Sequence, residues 1–163
     1  AKTLKFFEAE GLTVDLRHFA DGAQAAQLTS GTAQFAAASL ETPIKLQPQG
    51  RKMKMILSLA HLPGVAVLVR ADLQDRIKAP SDFKGYRIGV SAIGADTHLM
   101  LNLLAANAGL KAEDYTVVPA GTSTLEVAFE QKQIDIGVGA DPFITPLLQN
   151  RSAFAIFDLR KQF

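Results

Sequence analysis

Ser91, Gly94, Ala95, Asp96 and Thr97 lie close together in the stretch Arg87-Ile88-Gly89-Val90-Ser91-Ala92-Ile93-Gly94-Ala95-Asp96-Thr97-His98, where an apolar run gives way to a small polar turn. A helix after that turn, from Asp96 to Ala108, would aim its free backbone N–H groups and the positive end of its dipole at the turn, which is the chemistry of an anion cradle. Gly94 lets a ligand or another backbone approach, and Thr97 offers a hydroxyl. Asp96 has two readings: a helix cap, or a carboxylate that recognises an amine or heterocyclic N–H. The same junction is common in α/β proteins that bind nothing there.

The elements that would position these residues follow from periodicity. Lys2 to Glu10 reads as a helix stopped by Gly11, and Leu12 to Phe19 alternates as a half-buried strand. Asp21 would cap a helix to Thr29, closed by Gly31. Ala33 to Ala38 is a small-residue strand, and Ser39 to about Gln49 opens as a helix with Pro43 in its first turn. Met53 to Ala60 and Val65 to Arg70 read as buried strands around a His61 to Gly64 turn. Residues 71–85 are irregular and charged around Pro80, which marks them as a linker. Then come strand Tyr86 to Val90, helix Asp96 to Ala108 ended by Gly109, strand Tyr115 to Pro119, helix Ser123 to Lys132, strand Ile134 to Val138, helix Pro142 to Asn150 and strand Phe154 to Leu159.

Strands alternating with helices predict an α/β fold with parallel sheets and right-handed crossovers. The division is a first lobe over 1–70, a hinge over 71–85 and a second lobe over 86–163. Open parallel sheets bind at the carboxyl ends of their strands. That rule selects the loops Ala20 to Ala23, Ser39 to Thr42, Ser91 to Thr97 and Gly139 to Pro142.

Composition narrows the chemistry. The 163 residues carry 17 basic and 16 acidic side chains with no block of like charge, so nucleic acid and anionic membrane are poor partners. Cysteine is absent, which excludes disulfides, thiolate metal sites and a Cys nucleophile. His18, His61 and His98 are too scattered for a metal site, and none is expected. No apolar run approaches the roughly 18 residues of a membrane span, and Ala1-Lys2-Thr3-Leu4 is not a signal peptide.

Phe6-Phe7-Glu8-Ala9-Glu10-Gly11-Leu12-Thr13-Val14, Leu28-Thr29-Ser30-Gly31-Thr32-Ala33-Gln34-Phe35-Ala36, Lys84-Gly85-Tyr86-Arg87-Ile88-Gly89-Val90, Ala108-Gly109-Leu110 and Gln133-Ile134-Asp135-Ile136-Gly137-Val138 resemble, in order and spacing, the solute-binding proteins of the nitrate/sulfonate/taurine class of ABC importers. Fungal thiamine-pyrimidine synthases are similar to the same family. The resemblance implies a two-lobed, type II periplasmic-binding-protein-like fold with ligand held between lobes, here incomplete at both ends. It implies a non-enzymatic, monomeric protein without a cofactor. Its partners would be a small organic solute (sulfonate, nitrate-like, pyrimidine or aromatic acid) and a membrane permease, in the periplasm or outside the cell, membrane-associated through the transporter.

The resemblance also assigns site residues. Ser39, Glu41 and Thr42 match the first-lobe pocket loop, although Ser39 could be only an N-cap and Glu41 only a dipole-matched surface residue. Ser91, Gly94, Ala95, Asp96 and Thr97 match the second-lobe loop, departing from it where Ala95 and Asp96 replace small hydroxyl residues. Asp141 sits where a residue closes over the ligand, and it is also a natural cap before Pro142. The alternatives are an enzyme resembling the thiamine-pyrimidine synthases, which would need a Lys and a His placed around pyridoxal phosphate, and the effector domain of a transcription regulator.

Overall fold

Val65-Ala66-Val67-Leu68-Val69 alternates across a strand yet is apolar on both sides, so it is stable only between two packed layers. In the computed structural model, which describes residues 3–19, 23–59 and 62–161, this segment is β1 (Val65–Arg70), inside a five-stranded sheet. The other strands are β2 (Arg87–Val90), β3 (Thr116–Pro119), β4 (Ile136–Ala140) and β5 (Ala153–Asp158), in the order β3-β2-β4-β1-β5. β2 runs parallel to β3 and β4, whereas β1 is antiparallel to β4 and β5.

The helices are α1 (Phe6–Ala9), α2 (Ala23–Thr29), α3 (Glu41–Leu46), α4 (Asp96–Asn107), α5 (Leu125–Glu130) and α6 (Thr145–Gln149). α4 carries the chain from β2 to β3, and α5 carries it back past β2 to β4. Right-handed crossovers in opposite directions put the two helices on opposite faces. The packing agrees. Leu101, Leu104 and Ala105 of α4 join Val65, Val67 and Val69 on one face, while Leu125, Ala128 and Phe129 of α5 join Ala66 and Leu68 on the other. β4 admits α5 and the segment before α6 only because it is small: a Cβ on Gly137 would lie 2.8 Å from a Phe129 ring carbon, and one on Gly139 would lie 2.6 Å from Leu125.

At the end of the sheet where β2 and β4 begin, one carboxylate joins three strands. Asp135 accepts hydrogen bonds from Arg70 (2.8 Å), from the Arg87 guanidinium (2.9 and 3.0 Å) and from the Arg87 backbone N–H (3.0 Å). Burial alone would raise its pKa, but the hydrogen bonds from Arg87 and then Arg70 outweigh that and hold it below the usual carboxylate range.

Several expectations need correction. The sheet is mixed, because the chain enters it through an antiparallel β1. Val65–Arg70 lies between β4 and β5, and we propose that the boundary between lobes falls before Val65 rather than after Arg70. Residues 71–85 are not a loose linker, since Leu73, Ile77 and Phe83 are buried in the core on the α4 face. Leu12 to Phe19, Ala33 to Ala38 and the described part of Met53 to Ala60 form no ladder. Their alternation supplied an apolar face without a partner strand, and Phe35, Ile56 and Leu59 are 78%, 75% and 82% exposed. Asp21 and His61 lie outside the described residues.

Two stability measurements test this packing. Gly137→Ala forces a methyl against the stiff, buried Phe129 ring and should destabilise the protein by about 1–3 kcal/mol in denaturant titration. Asp135→Asn should cost about 2–3 kcal/mol at neutral pH, because charge-assisted hydrogen bonds are lost on two guanidinium groups. The folded pKa of Asp135 is depressed, so its contribution is fully present above the unfolded value near 4 and is lost as pH falls through the folded value. Stability of the variant should therefore fall less steeply than that of the parent below about pH 4.

Candidate functional site

β2, β3 and β4 all end at the same edge of the sheet, and the chain leaves β2 and β3 toward helices on opposite faces. A parallel sheet opens a crevice at such a switch point. Here the crevice is a cleft of about 130 Å³ lined by Ser91, Asp96 and Thr97 after β2, Gly121 and Thr122 after β3, Val138, Gly139 and Ala140 at the end of β4, and Leu125 of α5. One wall is thus hydroxyl and carboxylate, and the other is apolar.

The loop after β2 is held by its own polar groups. Gly94 takes a positive φ of 80°, which a glycine adopts without strain, and its N–H donates to His98 Nδ1 at 2.8 Å. Thr97 is buried: its hydroxyl accepts the Ser91 N–H at 3.0 Å and shares a 2.9 Å hydrogen bond with the Ser91 hydroxyl. The Thr97 N–H donates to Asp96 Oδ1 at 2.7 Å. Ala95, in extended conformation, occupies the N-cap position of α4 and Asp96 is the first helical residue. Asp96 therefore satisfies a first-turn N–H, but from inside the helix rather than as its cap.

The two predicted loops meet across 57 residues of sequence. The Ser39 hydroxyl donates to Asp96 Oδ2 at 3.2 Å. Lys45, one turn into α3, donates its ammonium to the Gly94 carbonyl. Ser39 is consequently not the cap of α3, whose N-cap position is Leu40 without a side-chain hydrogen bond. Glu41 and Thr42 lie in the first turn of α3, half-buried, and they, Gly94 and Ala95 are all off the cleft lining.

Asp141 follows Ala140 at the rim but caps no helix, because α6 begins at Thr145. Its carboxylate accepts from the Thr145 hydroxyl at 2.5 Å and from Arg160 at 2.6 Å, and Arg160 also grips Asp158 at 2.8 and 2.9 Å. The Thr145 hydrogen bond foremost, against an opposing effect of burial, and then Arg160 hold the Asp141 carboxyl below the usual carboxylate range.

Lys45, Gly121, Thr122 and Arg160 are missing from the sequence reading. Gly121-Thr122 had a usable signal, since it follows β3 as Ser91 follows β2. Lys45 and Arg160 had none, because their partners lie 49 and 19 residues away.

α3 has one buried side chain, Leu46, so its attachment to the sheet relies on polar contacts. Replacing both Ser39 and Lys45 with Ala should speed amide hydrogen exchange over residues 41–49 while leaving the sheet strands unchanged, with a global stability loss of at most about 1 kcal/mol.

The family described as NMT1/THI5 like matches residues 1–158. A Brucella abortus (strain 2308) protein, named provisionally as a binding protein, is 32% identical over 130 residues, covering 79% of this chain and 39% of that one. A solved structure from Bordetella bronchiseptica RB50 superimposes with a TM-score of 0.84 at 29% identity, over 98% of this chain and 51% of that one. The alkanesulfonate-binding protein SsuA from Xanthomonas axonopodis pv. citri, bound to MOPS, gives 0.75 at 22% identity over 97% and 55%. The periplasmic nitrate-binding protein NrtA from Synechocystis PCC 6803 gives 0.76 at 11% identity over 96% and 46%. The chain spans 39% of the curated relative's length and about half the length of the solved ones. The fold is of the type II periplasmic-binding-protein kind, incomplete in extent, and the chain belongs to the NMT1/THI5-like family.

Proposed function

We propose that this chain supplies the ligand-holding cleft of a solute-binding protein, which captures a small organic solute and delivers it to the permease of an ABC importer. The observation that carries this reading is the cleft at the ends of β2, β3 and β4, bridged to α3 by Ser39. Ser91, Asp96 and Thr97 line its polar side, and Ser39 reaches Asp96 from the loop before α3, while Gly94 and Ala95 shape the turn that leads to Asp96. In this reading Glu41 and Thr42, at the start of α3, would meet the solute from the other lobe, and Asp141, next to the cleft-lining Ala140, is held by Arg160. The two lobes in this reading are the segment before Val65 and the unit built on the sheet, and ligand contacts made in the closed arrangement would favour closure.

Binding rather than catalysis is favoured by the polar groups themselves. The Ser91 hydroxyl is hydrogen-bonded to Thr97, not to a base that could activate it. Among the described residues lining the cleft there is no Lys and no His to hold an aldehyde cofactor. The location that follows is periplasmic or extracellular, with a monomer docking on its transporter.

Calorimetric titration of the purified protein with sulfonates, nitrate, pyrimidines and aromatic carboxylates tests the proposal. One class should bind, and Ser91→Ala should weaken it by about three- to tenfold, the worth of one hydrogen bond. Silence across the whole panel would remove the reading.

A further inference from the structure

We infer that, within the solute-binding reading of this cleft, the solute carries an ammonium or ring N–H donor and that Asp96 selects it over plain oxyanions. An oxyanion needs donors, and this loop has committed several of its own. The Thr97 N–H is held by Asp96, the Gly94 N–H by His98, and the Ser91 N–H by the Thr97 hydroxyl. The charged group among the residues that line the cleft is the Asp96 carboxylate, which repels an anion and accepts from a cation.

None of the ion pairs among the described residues involves Asp96. Lys45, which the fold brings to the same loop, is directed to the Gly94 carbonyl instead. Oδ2 of Asp96 has a 3.2 Å contact from the exposed Ser39 hydroxyl, a neutral donor that a cationic or acidic N–H on the solute would outcompete. Leu125, Val138 and Ala140 would then take a short apolar body, while the Ser91 hydroxyl can turn toward a second polar group on the solute.

Isothermal titration with size-matched pairs tests this: 2-aminoethanesulfonate against 2-hydroxyethanesulfonate, 4-aminopyrimidine against 4-methylpyrimidine, and benzylamine against benzyl alcohol. The amino member of at least one pair should bind about tenfold or more tightly than its mate. In Asp96→Asn that ratio should fall to about threefold or less. The amide keeps an acceptor for the Thr97 N–H, so the helix start is preserved, and a thermal melt of the variant verifies it. Equal or tighter binding of the mates to the parent protein, or a preference that survives in Asp96→Asn, overturns this inference and leaves solute binding intact. No heat from any of these compounds or from the wider panel overturns both.

Discussion

β2 has a parallel partner on each side, and that single arrangement determines most of what the rest of the molecule can be. To reach β3 and then β4 the chain must cross over both faces of the sheet, which buries Val and Ile side chains on one face and Ala66 and Leu68 on the other. The same reversal parts the loops at the carboxyl ends of the strands, and the cleft is the gap it leaves. β4 has to be slender for this to work. Its two glycines let α5 and the turn before α6 sit directly on the strand.

The two ends of β2 show opposite electrostatic solutions. Where the strand begins, Asp135 is enclosed by Arg70 and Arg87, so its charge is neutralised locally and serves to lock three strands together. Where the strand ends, Asp96 is answered by a backbone N–H and a distant serine hydroxyl, without a guanidinium. The difference is physical rather than compositional: a carboxylate surrounded by cations holds a structure, whereas one facing a crevice with only neutral partners can still exchange them for a ligand.

The described residues before Val65 stand in contrast to the sheet. Leu46 is their one buried side chain, and apolar residues such as Leu16, Phe35 and Ile56 are largely exposed. This part is joined to the sheet unit through Ser39 and Lys45, contacts that water and salt weaken more readily than buried packing. Such an attachment permits relative movement of α3 and the cleft, which is what a binding site that closes requires.

From the sequence alone, the periodicity of Val65 to Leu159 placed nearly every strand and helix of the sheet unit, and the small polar turn after Val90 marked the passage from β2 into α4. These features are local: apolar spacing, glycine at positive φ and helix formers act over a few residues. The direction of β1, its place between β4 and β5, and the burial of Leu73, Ile77 and Phe83 were decided by tertiary structure, since an apolar run does not encode its neighbours. The same holds for the caps. Ser39, Asp96 and Asp141 all have the residue type of a helix cap, but each hydrogen-bonds a residue outside that role: Asp96, Ser39 and Arg160 respectively. Side-chain chemistry is written in the sequence, whereas the partner that uses it is set by the crossing of distant segments in space.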